Sequence, residues 1–116
     1  MPSSQPTARL NDVIANCDRI LQHVTGHTLE TYVADSKTVD AVERCLQRIS
    51  EAAVKLGDSL DARYPDAPWR EARGIGNILR HRYEDIMDDL IWESVQHDVP
   101  RLRASAVAEM GRLDRE

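Results

Sequence analysis

The polar chemistry of this chain is concentrated in residues 68–83. There Pro68-Trp69-Arg70-Glu71-Ala72-Arg73-Gly74-Ile75 is followed by Gly76-Asn77-Ile78-Leu79-Arg80-His81-Arg82-Tyr83. Arg73, Asn77 and His81 stand four apart, so on a helix they form one ridge. Arg80 and Glu84 make the adjacent i, i+4 pair, and Tyr83 follows His81 by two. Together they suit a phosphodiester. The guanidinium fork binds phosphate oxygens. An imidazole titrating near neutrality can take a proton from a ribose 2′-hydroxyl or give one to a leaving oxygen. RNA carries its own nucleophile in that hydroxyl, so the chemistry calls for no metal or other cofactor. The stretch holds four arginines and one acid, a local charge of +3 in a chain of net −5, so the remainder carries −8. An acidic remainder disfavours indiscriminate nucleic-acid binding but permits a small positive cleft or docking to a basic partner.

A plainer reading accounts for the same residues. Amphipathic helices carry solvated charge, and an exposed Arg80–Glu84 pair contributes only about 0.2–0.5 kcal/mol. A histidine at a helix end is more often solvated than catalytic, and Tyr83 can be an aromatic plug with its hydroxyl in water. On spacing alone the plainer reading ranks first.

The elements that must position these residues are helical. At 116 residues the chain is long enough for one core, with 41% apolar and 30% charged residues. Phe is absent, Gly and Pro number five each, and the β-branched residues are scattered, which favours helix over sheet. Residues 1–6 read as a flexible tail and 7–116 as one domain. Leu10, Val13, Ile14, Cys17, Ile20, Leu21 and Val24 repeat at helical spacing from about Thr7 to His23, with Gly26 as a stop. Thr28 caps a short segment bearing Leu29, Tyr32 and Val33. Val39, Val42, Cys45, Leu46, Ile49, Ala53, Leu56 and Leu60 predict a second long helix from Ser36 or Thr38 to about Arg63, absorbing Gly57. Pro65 and Pro68 end it. The paired Gly74 and Gly76 imply close approach of another helix, a ligand or a second subunit. Asp88 or Asp89 starts a fourth helix, and Asp98 caps a fifth with Pro100 in its first turn. The expectation is an all-α up-and-down bundle of about five helices, plausibly a symmetric homodimer.

Cys17 and Cys45 fall on apolar stripes and read as buried thiols, and the histidines show no zinc spacing. Trp69 and Trp92 read as core or interface anchors, and Glu51 as a partner for an arginine of the third helix. No run is long enough to span a bilayer and no export signal opens the chain, so a cytoplasmic location away from membranes is expected.

Several blocks in order resemble the HepT-like family of HEPN-domain proteins, which pair with minimal nucleotidyltransferases in toxin–antitoxin modules. They are Asp35-Ser36-Lys37-Thr38-Val39-Asp40-Ala41-Val42, Ile49-Ser50-Glu51-Ala52, the 68–83 stretch, Ile91-Trp92-Glu93-Ser94-Val95 and Asp98-Val99-Pro100-Arg101-Leu102. The resemblance implies a homodimeric bundle whose Arg and His cleave RNA (tRNA or mRNA) without metal in a cleft between subunits. It also implies that a cognate nucleotidyltransferase antitoxin adenylylates the motif tyrosine. The motif is Arg, four residues, His, one residue, Tyr. His81 and Tyr83 match it, Asn77 matches the polar residue after the arginine, and Gly76 stands where the arginine belongs. Arg73, on the row of Asn77 and His81, is the first candidate substitute, and Arg80 the second. Three readings follow: an active ribonuclease toxin, a degenerate module that binds the nucleotidyltransferase or nucleic acid without cleaving, and a helical dimerisation module.

Overall fold

The structure is a computed structural model that describes residues 5–81 and 86–116, with side chains omitted at 86 and 87. It is an all-α bundle of six helices among the described residues: α1 (Pro6–Val24), α2 (Leu29–Ala34), α3 (Ser36–Leu56), α4 (Ser59–Arg63), α5 (Trp69–Arg80) and α6 (Ile86–Asp114). The main packing joins α3 to α1 and to α5, and α1 to α6, while short α2 braces α3 and α6.

The starts and stops of the first half follow local chemistry. Pro6 sits in the first turn of α1, where its missing N–H costs nothing. Gly26 takes a positive φ of 81° after α1. Thr28 and Thr31 form a reciprocal capping box on α2. Asp35 caps α3, accepting from the Thr38 N–H at 3.2 Å and the Thr38 hydroxyl at 2.9 Å. The core is aliphatic, with Leu10, Val13, Ile20, Val42 and Ile49 fully buried, and it admits Tyr32 and Trp69. Tyr32 packs on half-buried Trp92 with ring centroids 5.2 Å apart. Cys17 and Cys45 are buried free thiols, and burial pushes the Cys17 thiol up to about 12, which removes it as a nucleophile.

Two expected boundaries are corrected. The second long helix does not run to Arg63. It stops at Gly57, which adopts φ 79° and turns the chain into α4. Glycine enters that conformation without the penalty of a Cβ, and the turn exposes a carbonyl that a side chain can capture. The expected fourth and fifth helices are one: α6 continues through Pro100 with no break at Asp98. An interior proline costs about 3 kcal/mol. Ile91, Val95, Val99, Leu102 and Ala106 form one buried stripe across it, and each large apolar side chain contributes about 1.5–3 kcal/mol on full burial. The stripe outweighs the proline, whose ring faces solvent.

The C-terminal half of α6 is tied to α4 through Glu109, which is only 5% exposed. Its carboxylate accepts from Arg63 Nη1 at 2.9 Å, the Tyr64 hydroxyl at 3.1 Å, and Arg112 Nε and Nη2 at 2.9 and 2.8 Å. The Arg112 hydrogen bonds, then those of Tyr64 and the charge of Arg63, hold Glu109 below the ordinary glutamate range. A depressed folded pKa stabilises the fold above the unfolded value and loses that contribution as pH falls through the folded value. The melting temperature should therefore be flat from neutrality down to the ordinary value of 4.5 and drop below it. Glu109→Ala should remove that share of the acid sensitivity and lower stability at neutral pH by about 2 kcal/mol, since three partners lose a charged acceptor. Thermal melts across pH check both.

Candidate active site

Helix α5 begins at Trp69, directly after Pro68, and ends at Arg80. Trp69, Ala72, Gly76 and Leu79 form its buried side, at i, i+3, i+7 and i+10. Asn77, Arg80 and His81 are exposed, and Arg73 is half-buried. His81 is the C-cap, with φ −115° and ψ 16°, and its backbone N–H donates to the Ile78 carbonyl at 3.1 Å. The expected ridge therefore divides. Asn77 and His81 meet solvent, whereas Arg73 turns toward α4.

Arg73 has three hydrogen bonds there. Nη1 donates to Asp61 Oδ1 at 2.8 Å and to the Gly57 carbonyl at 3.1 Å, and Nη2 donates to Asp61 Oδ2 at 2.6 Å. This two-pronged pairing is the strongest arrangement open to a guanidinium and a carboxylate. It also holds Asp61 below its ordinary range and Arg73 above its own. The break at Gly57 makes the pairing possible, because it frees the carbonyl and swings Asp61 toward α5. Glu51, expected to meet an arginine of this helix, does not: it lines a cleft between α1 and α3 instead. Asp61 carries that role. No feature of the single sequence distinguished Asp61 from the other acids, although Gly57 read as a stop would have pointed to it.

At Gly76 α5 packs closely on α3. The Ser50 hydroxyl donates to the Arg73 carbonyl at 3.0 Å and accepts from the Gly76 N–H at 3.2 Å. A Cβ at position 76 would lie 2.8 Å from Ser50 Oγ and 3.2 Å from Ser50 Cβ. The paired-glycine expectation thus holds for Gly76, against another helix. It does not hold for Gly74, which is exposed with nothing within 4 Å of a Cβ. The third neighbour of a Cβ at 76 is Arg80 Nη1 at 3.8 Å, so the Arg80 guanidinium folds back over the glycine. No hydrogen bond or ion pair among the described residues holds it. Tyr83, with Arg82 and Glu84, lies outside the described residues.

The two glycines should respond oppositely to the same change. Gly74→Ala should stabilise by about 0.5–1 kcal/mol, the helix-propensity gain of Ala. Gly76→Ala gains the same propensity but overpacks the α3 contact, which costs about 1–3 kcal/mol, and displaces the Ser50 hydroxyl from two hydrogen bonds. Gly76→Arg should do the same, and Ser50→Gly in either background should relieve it. Urea denaturation of the single and double variants reads the coupling.

A family model described as Ribonuclease HepT-like matches residues 13–108. "Putative RNase MJ0127" of Methanocaldococcus jannaschii is 32% identical over 100 residues, covering 86% of this chain and 83% of its own. "Probable ribonuclease HepT" of Thermococcus cleftensis is 29% identical over 94 residues, covering 81% of this chain and 86% of its own. No solved structure matches. With the family model spanning most of a chain that folds as an all-α bundle, the protein belongs to the HepT-like family.

Proposed function

We propose that the protein is a metal-independent endoribonuclease, the HepT-like toxin of a toxin–antitoxin module. The observation that carries this, beside the family, is that Arg80 and His81 are both exposed at the end of α5, with no partner for the Arg80 guanidinium among the described residues. In this reading Arg80 binds the non-bridging phosphate oxygens. His81 removes the 2′-hydroxyl proton, the 2′-oxygen bonds to phosphorus, and the bond from phosphorus to the 5′-oxygen breaks. The departing oxygen takes a proton from an imidazolium, in a homodimer the partner copy's, leaving a 2′,3′-cyclic phosphate and a 5′-hydroxyl. Asn77, one turn before His81 on the exposed side, orients substrate. Tyr83 is the residue that a cognate minimal nucleotidyltransferase would adenylylate, blocking the site beside it.

Arg80 is preferred over Arg73 on energetic grounds. Arg73 would have to abandon a bidentate carboxylate and a carbonyl to reach substrate, and charge-assisted bonds of this kind are each worth about 1.5–3 kcal/mol. Arg80 has no comparable partner among the described residues. One observation favours a second reading: a side chain at position 76 would run into Ser50, so the place of the motif arginine is already filled. The protein would then be a degenerate module that binds the nucleotidyltransferase or RNA without cleaving.

Cleavage of total RNA and tRNA in EDTA decides between them. The parent should cleave, and His81→Ala should not. Arg80→Ala should reduce kcat/KM by about 10²–10³, the usual cost of one transition-state charge donor. Arg73→Ala should chiefly lower the melting temperature. An Arg80→Ala protein that cleaves like the parent sinks the assignment of Arg80, and a folded parent that leaves RNA intact favours the binding module.

A further inference from the structure

Helix α5 presents to solvent a straight row of residues that the proposed chemistry uses only at one end. At 100° per residue, Arg70, Gly74, Asn77 and His81 fall within an arc of about 60°, and Gly74 lies about 160° around the helix from Gly76. All four are exposed. The row therefore points away from α3, on which α5 packs. Arg73 has left this side of the helix for Asp61, so the guanidinium on the row is that of Arg70. Arg70 makes no hydrogen bond or ion pair among the described residues. Asp61 is close enough for the Arg70 charge to lower its pKa, but both its oxygens are taken by Arg73. The neighbouring acid, Glu71, lies about 100° around the helix and lines a groove against α6.

Gly74 is the second observation. A glycine inside a helix gives up stability relative to alanine, and packing does not require one here, because a Cβ would have nothing within 4 Å. It leaves bare backbone between Arg70 and Asn77, where a ligand can lie against the helix with no side chain in its way. From Arg70 to His81 is about 16 Å along the axis at 1.5 Å per residue, a few nucleotides of a single strand. A guanidinium, a bare stretch, an amide and an imidazole in line over that distance match an extended chain of phosphates, not one compact anion.

We propose that single-stranded RNA lies along the outer face of α5. The scissile phosphate sits at Arg80 and His81, Arg70 binds a phosphate a few nucleotides away, and Gly74 gives the strand clearance between them. The inference rests on the ribonuclease reading, since it assigns that substrate a path and a minimum length beyond the cleaved bond.

Steady-state cleavage of two labelled substrates by the full chain in EDTA tests it. One is a diribonucleotide, too short to reach Arg70 from His81, and the other a long single-stranded RNA. Arg70→Gln should raise KM for the long RNA about tenfold, the scale of one charge-assisted contact, with kcat and the cleavage of the dinucleotide unmoved. It should also flatten the slope of log KM against log salt by about 0.7, one charge on a single strand. Gly74→Gln gains helix propensity at an exposed position, so it should melt higher than the parent and still raise KM for the long RNA, a combination that misfolding does not produce. Arg19→Gln removes the same charge from the exposed side of α1 and should match the parent on both substrates. Parental KM for the long RNA in either α5 variant overturns the path along α5 and leaves the site at its end standing. A loss in Arg19→Gln equal to that in Arg70→Gln does the same, since net charge then accounts for it. A parent that cleaves neither substrate overturns this inference together with the function on which it rests.

Discussion

The contact between Ser50 and Gly76 sets the height at which α5 rides on α3. A hydroxyl placed between two helix backbones, donating to one peptide and accepting from another, is satisfied only at close range. Close range in turn requires that residue 76 have no side chain. The register that results has consequences along the whole helix. It brings Arg73 level with the Gly57 carbonyl and Asp61, presses Trp69, Ala72 and Leu79 into the core, and leaves Asn77, Arg80 and His81 at the water boundary.

The same constraint explains why the arginine expected from the family pattern is absent without leaving a hole. Position 76 points at α3, and its space is occupied by Ser50 from below and the Arg80 guanidinium from the side. An arginine at 76 would require Ser50 to give way. The chain has adopted the close-packed alternative, in which the only guanidinium at that end of α5 left without a partner among the described residues is that of Arg80. Whatever chemistry the site performs must begin from this arrangement.

Elsewhere the fold records two contests between local preference and packing, with opposite winners. At Gly57 the local preference prevails. The glycine ends α3, and the turn is then fixed by Arg73 capturing the freed carbonyl and Asp61 together. At Pro100 packing prevails, because a buried stripe running through it is worth several times the lost hydrogen bond. The Glu109 cluster locks the far end of α6 to α4 and the start of the loop toward α5. The platform beneath Arg73 is thereby held by charge as well as by apolar contact.

The sequence by itself determined the helical class, the core stripes of α1 and α3, the cap at Thr28, the buried cysteines, the family, and the exposed positions of Asn77, Arg80 and His81. Each of these depends on periodicity or on groups a few residues apart, and a helix brings such residues together whatever surrounds it. Tertiary structure alone decided that Arg73 serves Asp61, that Gly76 answers Ser50, that Glu51 belongs to the α1–α3 cleft, and that Pro100 does not end a helix. These are contests between partners distant in the chain, 12 residues apart for Asp61 and Arg73 and 26 for Ser50 and Gly76. Their outcome depends on helix-to-helix distance, which no local pattern encodes. An arginine on an exposed ridge and an arginine clamped by a carboxylate are the same letter in the sequence, and the packing of α4 against α5 makes the difference.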